Sequence, residues 1–477
     1  MEVTRLIKFW AGPTSLLVLL LLGHSSQEQM AIKVTGIILW MLIWWITEVV
    51  PMAVTSLLPI VLLPFFGVMK IEEVCVAYGN RFVFLFLGGF IIAIALEKWN
   101  LHRRLALNIV NKTGVSANRI ILGFFAASYL VSMWISNTAT ALMMFPIGSS
   151  VVSLILGRGG AVDPKGAKNF AIVIMLSIAY GASIGGIATL VGSPPNAAMA
   201  AILSDNTFNT KITFFTWMKY GFPFSLVLFI LSYFLLVKVV FPNRLGRFDL
   251  GHETIHEELR SLGKWRKQEV KIFVAFVVTA VLWISLDVLA PLLKNSGIQL
   301  TDAAVGLSAG ILLFLIPGGN WKSKPILEWK DTEKLPWGVL LMFGGGLAIA
   351  KAFEVSGLVG HITHWMDFLD RSNIFIFAVI LCAIGLALTA LMSNLAMVTI
   401  FVPIVALLAL GCGLSPLDFA IPVTIAASCD FMFPMSTPPN TIAYSSGYIS
   451  ATNMFRAGVV LNIASFLLLS LMMWMLL

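Results

Sequence analysis

Charge is what this sequence has least of. Asp, Glu, Lys and Arg make up 11% of its 477 residues and hydrophobic residues 59%, whereas a soluble domain carries roughly 25% charge. That excludes a water-soluble globule, and with it the rule that divides chain length into soluble domains. Histidine is scarce as well: there are six, none inside the apolar runs that fill most of the chain, and they are not read as a metal site. The four cysteines, Cys75, Cys382, Cys412 and Cys429, form no C-x-x-C pair and lie in or beside apolar stretches, where they read as small buried hydrophobes. The string H-E-x-x-H occurs once, His252–His256, in the stretch between the apolar runs rather than within one; no G-x-S-x-G stands at a plausible turn, and the acid Asp430 has no partner acid for an aspartyl dyad. A five-residue string in a linker does not by itself make a nucleophile–base set or a complete metal site, so the chain is not read as an enzyme. A net charge of +8 would suit nucleic acid, but the basic residues fall in short loops between apolar runs, where they set membrane orientation.

What the chain has is one apolar stretch after another, each fit to cross about 30 Å of hydrocarbon. They fall roughly at 8–23, 31–48, 51–67, 82–97, 168–192, 219–241, 270–292, 302–317, 338–353, 417–434 and 457–477. The fold class expected is therefore an all-α membrane protein with about eleven transmembrane helices. Its start, "MEVTRLIKFWAGPTSLLVLLLLGHSSQEQ", resembles a signal peptide, yet no A-x-A pattern comes after the apolar run. Residues 1–30 accordingly read as a first transmembrane helix. Two more apolar regions, 117–156 and 373–411, are about twice a span long, and a Ser-Asn cluster interrupts each at its middle. A re-entrant hairpin with the polar cluster at its tip fits both. With the N-terminus in the cytoplasm, 23 of the 31 Lys and Arg residues fall on the inside, which predicts a multi-pass inner-membrane protein, N-in and C-out.

The two halves of the chain repeat. "LGGFIIAIALEKWNL" (Leu87–Leu101) matches "GGGLAIAKAFEVSGL" (Gly344–Leu358), and Glu97 and Glu354 stand 257 residues apart. The same offset joins Leu101 to Leu358, Ser136 to Ser393, Asn137 to Asn394 and Pro146 to Pro403. Further on, "GSPPNAA" (Gly192–Ala198) matches "STPPNTI" (Ser436–Ile442) at offset 244. The halves are 31–241 and 269–477, separated by a cytoplasmic linker, 242–268. Each holds five crossings and a hairpin. Five is odd, so the copies must lie upside down relative to each other, the inverted-repeat plan of secondary transporters.

Polar clusters in such a chain need a reason, because backbone at membrane depth must be bonded internally unless it lines a cavity or site. A hairpin tip frees N–H and C=O groups. Helix N-termini starting there suit an anion, and the carbonyls and hydroxyls of the preceding helix end suit Na⁺. The Pro-Pro pairs at Pro194 and Pro438 expose carbonyls on the facing helices in the same way. Ser132 and Thr389 each place a hydroxyl one turn ahead of a tip. One cation pocket would then comprise Ser132, Ser136, Asn137 and Gly192, and its symmetry mate Thr389, Met392 (through its carbonyl), Asn394 and Ser436. No Lys, Arg or His lies within either tip or either Pro-Pro-Asn stretch, so a bound anion must be balanced by helix ends and by cations. Hydroxyls in membrane helices often bond only to backbone or across helices. That reading suffices for a lone Ser132 or Thr140, not for two clusters repeated at one offset. Asp430 is an acid inside an apolar stretch, open to a role in proton or cation handling or to a structural partnership. Glu48, Glu97 and Glu354 read as helix-end or interfacial acids.

At these residues the sequence resembles the divalent anion/sodium symporter family, whose members carry dicarboxylates, citrate or sulfate. Ser136-Asn137-Thr138 and Ser393-Asn394-Leu395 stand where the family has Ser-Asn-Thr tips, and "SCDFMFPMSTPPNTIA" (Ser428–Ala443) matches its C-terminal signature except that Ala443 replaces valine. The resemblance implies a homodimer in lipid, with a scaffold domain and a transport domain moving as an elevator. It implies substrate between the tips at Ser136, Asn137, Thr138, Ser393, Asn394 and Thr437, adjoined by Pro194 and Leu395, with two or more Na⁺ in the pockets above. Leu395 removes one hydroxyl from the second tip. The implied activity is sodium-coupled symport of a C4-dicarboxylate such as succinate, malate or fumarate. Sodium-independent exchange, sulfate or citrate transport and an anion channel are the alternatives.

Overall fold

The computed structural model describes residues 2–22, 29–157, 163–204, 208, 210–243, 245–246, 249–294, 296–320, 323–357, 374–390 and 392–477. The stretch after the first apolar run (23–28), linker residues 244, 247 and 248, Leu358 of the repeat, and residues 373 and 391 of the second hairpin region lie outside them.

The named elements are helices, as expected of apolar sequence that has only its own backbone to bond with. The first half runs α1 (Glu2–Leu22), α2 (Gln29–Thr47), α3 (Met52–Thr55), α4 (Leu58–Phe65), α5 (Ile71–Tyr78), α6 (Arg81–Lys98) and α7 (Leu101–Thr113). It continues through α8 (Ala117–Ser132), α9 (Asn137–Leu156), α10 (Pro164–Ile187), α11 (Pro194–Leu203) and α12 (Phe214–Phe234), which widens into a π-helix over Leu235–Val240. After α13 (Asp249–Ser261) come α14 (Lys267–Lys294), α15 (Asp302–Leu315) and α16 (Trp337–Val355). The chain ends with α17 (Ile374–Thr389), α18 (Asn394–Gly411), α19 (Pro416–Ala427), α20 (Pro438–Ser445) and α21 (Ala451–Leu476). Among the described residues, 10 helices are long and apolar enough to cross a membrane.

Two of the predicted spans are not single helices. The stretch 51–67 breaks between Thr55 and Leu58. Pro59 has no N–H for the Thr55 carbonyl, and the Ser56 hydroxyl turns back to Met52 O at 2.7 Å. The stretch 417–434 stops being helical at Ala427, and the backbone stays outside regular helix until α20 begins at Pro438.

Two helices form the centre. Every residue from Phe170 to Ser193 is buried, and so is every residue from Phe419 to Phe431. In lipid, a helix with no exposed face is one surrounded by other helices. α10 packs against α8, α9, α12 and α20; α19 packs against α17, α18, α21 and α11. The periphery is the reverse. On α14, Val270, Val274, Val277, Val278, Val281, Ile284, Val288 and Leu292 are exposed at helical spacing, an apolar stripe that lipid tolerates and water does not.

Among the described residues, one ion pair lies in the dry part of the molecule. Arg104 on α7 faces Glu269 on α14 at 3.2 Å, with side chains 4% and 3% exposed. The guanidinium also donates to Gly263 O (2.9 Å) and Leu262 O (3.0 Å), tying α7 to the segment that leads into α14. Removing one partner of such a pair leaves the other charge buried alone. Glu269→Ala should therefore cost about 3–5 kcal/mol and Glu269→Gln less. Thermal unfolding in detergent measures both, and an unchanged midpoint for the alanine variant would show the pair to be dispensable.

Candidate functional site

Both Ser-Asn clusters open a helix. Ser136 caps α9 by accepting from the Ala139 amide at 3.2 Å, and Ser393 caps α18 by accepting from Ala396 at 3.3 Å. One turn back, the Ser132 hydroxyl donates to Asn137 Oδ1 at 2.7 Å, and Thr389 donates to Asn394 Oδ1 at 2.9 Å. The hydroxyl ahead of each break thus clamps the asparagine just past it.

The two Pro-Pro-Asn elements share a second geometry. Asn196 Nδ2 donates to Gly186 O at 2.9 Å and to Thr189 O at 2.8 Å. Asn440 Nδ2 donates to Asp430 O at 3.2 Å and to Phe433 O at 3.1 Å. In both halves the carbonyls lie ten and seven residues before the asparagine. Sequence reasoning gave these stretches exposed carbonyls and ligand positions at Gly192, Pro194, Ser436 and Thr437. It missed that their asparagine, repeated along with the prolines, is what ties those carbonyls down.

Around the first tip the groups converge. Thr189 Oγ1 donates to Met133 O at 2.5 Å and accepts from Gly192 N at 3.0 Å. A side chain at Gly192 would crowd Gly186 O and Met133 O, and one at Gly186 would run into the Asn137 amide. Ser132, Asn137 and Gly192 of the expected first pocket are therefore gathered, together with Met133 O, Gly186 and Thr189, which the sequence did not single out. Ser136 is exposed and Asn137 and Thr138 are half-buried. At the second tip, the single Thr389 hydroxyl proton is shared between Asn394 Oδ1 and Ala427 O, the latter at 2.6 Å, joining the tip to the end of α19. Ser436 is occupied differently: it donates to Phe433 O at 2.7 Å and accepts from Asn440 Nδ2 at 3.3 Å. Met392, Ser393 and Asn394 are half-buried, and the Ser393 hydroxyl reaches Met52 Sδ at 3.4 Å. Leu395 is 7% exposed and belongs to the apolar core. Thr437 caps α20, accepting from Asn440 N at 3.4 Å, and half-buried Pro194 starts α11.

The halves interlock here. α11, the Pro-Pro-Asn helix of the first half, packs against α18, which leaves the second tip; α20 packs against α9, which leaves the first. Several buried oxygens near these breaks have no hydrogen-bond partner among the described residues, including Thr140 Oγ1, Asn196 Oδ1 and Asn440 Oδ1. Acceptors left without donors in a dry setting suit a cation. A cavity of about 330 Å³ lies behind the first tip, lined by Trp134, Ile135, Leu130, His102 and Phe276 among others.

Central apolar helices broken around hydroxyls, amides and carbonyls make a multi-pass membrane transporter, not an enzyme; the G-x-S-x-G pattern Gly181–Gly185 lies inside α10 rather than on a turn. The chain belongs to the family described as the sodium:sulfate symporter transmembrane region, which matches residues 5–477. It is similar to the sodium-dependent dicarboxylate transporter SdcS of Staphylococcus saprophyticus, 36% identical over 478 residues that cover 100% of this chain and 92% of that one. It is also similar to SdcS of Staphylococcus aureus, 37% identical over 473 residues, covering 98% and 91% of the two chains.

Because Gly186 leaves no space beside Asn137, Gly186→Ala should displace that amide. The expected result is protein that remains monodisperse in detergent but whose transport falls at least about tenfold, as for a site loosened by an ångström. Uptake at the wild-type rate would show that the contact does not hold Asn137 in place.

Proposed function

We propose that this protein is a sodium-coupled symporter of small divalent organic anions, most specifically C4-dicarboxylates such as succinate, malate or fumarate. One observation carries the reading: two helix breaks, alike in sequence offset and in hydrogen bonding, present hydroxyl, amide and carbonyl groups with no Lys, Arg or His at either. A divalent anion bound there needs positive charge from elsewhere. The N-termini of α9 and α18 supply part of it, and Na⁺ bound by neighbouring oxygens supplies the rest. The names of the two SdcS relatives fit this substrate and this ion.

In this reading Na⁺ occupies a pocket made by Ser132, Asn137 and Gly192 with nearby carbonyls, and a second made by Thr389, Met392 and Asn394 with Ser436. The anion lies between Ser136-Asn137-Thr138 and Ser393-Asn394, close to Thr437. Since ion and anion share each asparagine, each raises the affinity of the other by one common factor. The two halves act as inverted repeats, the hairpins enter without crossing, and a transport domain carries the loaded site past a scaffold that pairs with a second copy. The N-terminus faces the cytoplasm.

Purified protein in liposomes tests this with radiolabelled succinate. Uptake should require an inward Na⁺ gradient, vanish in choline, and be competed by malate and fumarate rather than by sulfate or citrate. Uptake indifferent to the Na⁺ gradient would instead identify an exchanger. Asn137→Ala and Asn394→Ala should each abolish coupled uptake in folded protein, and near-normal transport by either would remove that residue from the site. Leu395→Thr should tighten succinate binding by restoring the tip hydroxyl, whereas unchanged affinity would make that position irrelevant to substrate.

A further inference from the structure

We propose that Asp430 is a cation ligand, which gives the second ion pocket a fixed negative charge that the first pocket lacks. This rests on the sodium-coupled reading above. Asp430 is 0% exposed, and neither of its carboxylate oxygens has a hydrogen-bond partner among the described residues. Two more buried acceptors close by are in the same condition, Ser428 Oγ and Asn440 Oδ1. Asn440 is fixed against Asp430 through its other amide atom, Nδ2, which donates to the Asp430 carbonyl at 3.2 Å. Four oxygens that can only gain from a positive neighbour are thus collected at the break after α19.

The two halves of the chain indicate where the carboxylate points. Gly186 and Asp430 hold the same station: each gives its carbonyl to the amide of an asparagine ten residues on. At Gly186 the direction a side chain would take leads straight to Asn137. At the corresponding station of the second half the Asp430 side chain lies beside Ser436, a member of the second pocket. The groups around it offer no counter-charge. Tyr180, whose hydroxyl donates to Phe431 O at 2.8 Å, and Cys429 are the titratable groups that feel it, and among the described residues no Lys or Arg forms an ion pair with it. A lone carboxylate in this setting is very costly; a coupling cation removes that cost. Electrostatics then sets the ion count. With one added fixed charge, the carrier loaded with the same dicarboxylate needs one more cation to reach the same net charge.

The test uses the full-length protein in liposomes and in detergent, with Na⁺ and choline as probes. Asp430→Asn keeps the shape and removes the charge. The Na⁺:succinate ratio, read from the gradients that just balance, should fall by one. The Na⁺ concentration that half-maximally stabilises the substrate-free protein should rise about tenfold or more, in line with loss of a metal-supporting group, and Asp430→Glu should recover part of it. An unchanged ratio and unchanged Na⁺ dependence would overturn the proposal and leave Asp430 a neutral, structural acid. Should Asp430→Asn fail to fold, Na⁺-minus-choline infrared difference spectra of the wild type decide. A perturbed carboxylate stretch supports the proposal, and its absence overturns it. Wild-type uptake that ignores Na⁺ would sink the symport reading itself, a result separate from wild-type coupling that survives Asp430→Asn.

Discussion

A helix that stops inside an apolar bundle leaves carbonyls without partners, and no water is there to take them up. The centre of this protein is arranged around that constraint. α10 and α19 both end among buried residues, and at each end a single asparagine amide bonds two stranded carbonyls, Gly186 and Thr189 in one half, Asp430 and Phe433 in the other. With those carbonyls held in place, the oxygens left over, such as Asn196 Oδ1 and Asn440 Oδ1, become fixed acceptors rather than mobile ones. Fixed acceptors favour an ion because nothing has to be reorganised when it arrives.

The tips depend on the same economy of donors. Ser136 and Ser393 use their hydroxyls to cap the helices they precede, so their first role is structural whatever else they touch. Ser132 and Thr389 orient the tip asparagines. Each tip is also supported from beyond its own hairpin, through Thr189 to Met133 O in the first half and through Thr389 to Ala427 O in the second. Because α11 rests on α18 and α20 on α9, neither half completes its surroundings alone.

Much of this was legible in the residues. The scarcity of charge and the apolar runs announced a helical membrane protein, and the constant offset between Ser136-Asn137 and Ser393-Asn394 marked the breaks without any knowledge of the fold. Ser132 and Thr389 were placed by counting one helical turn. The carbonyl partners were not legible, because a carbonyl belongs to every residue and only the folded path shows which ones lose their ladder. Thr189 and Gly186 escaped for that reason. The split of 51–67 escaped because composition reports how apolar a stretch is, not whether its helix is continuous; Pro59 was the available sign. Nor did the letter Leu395 reveal that its side chain joins the core while Thr138, its counterpart, stays half-buried.

Gly186 leaves no room for a side chain beside Asn137, and Gly192 leaves little beside Gly186 O and Met133 O. Parts that touch with no gap between backbone and side chain cannot slide past one another; they travel as a single block or come apart. The first tip, the end of α10 and the start of α11 are therefore mechanically indivisible, and α11 extends that block to the helix leaving the second tip. Any displacement of this block has its seams elsewhere, and the first tip rides through it undeformed.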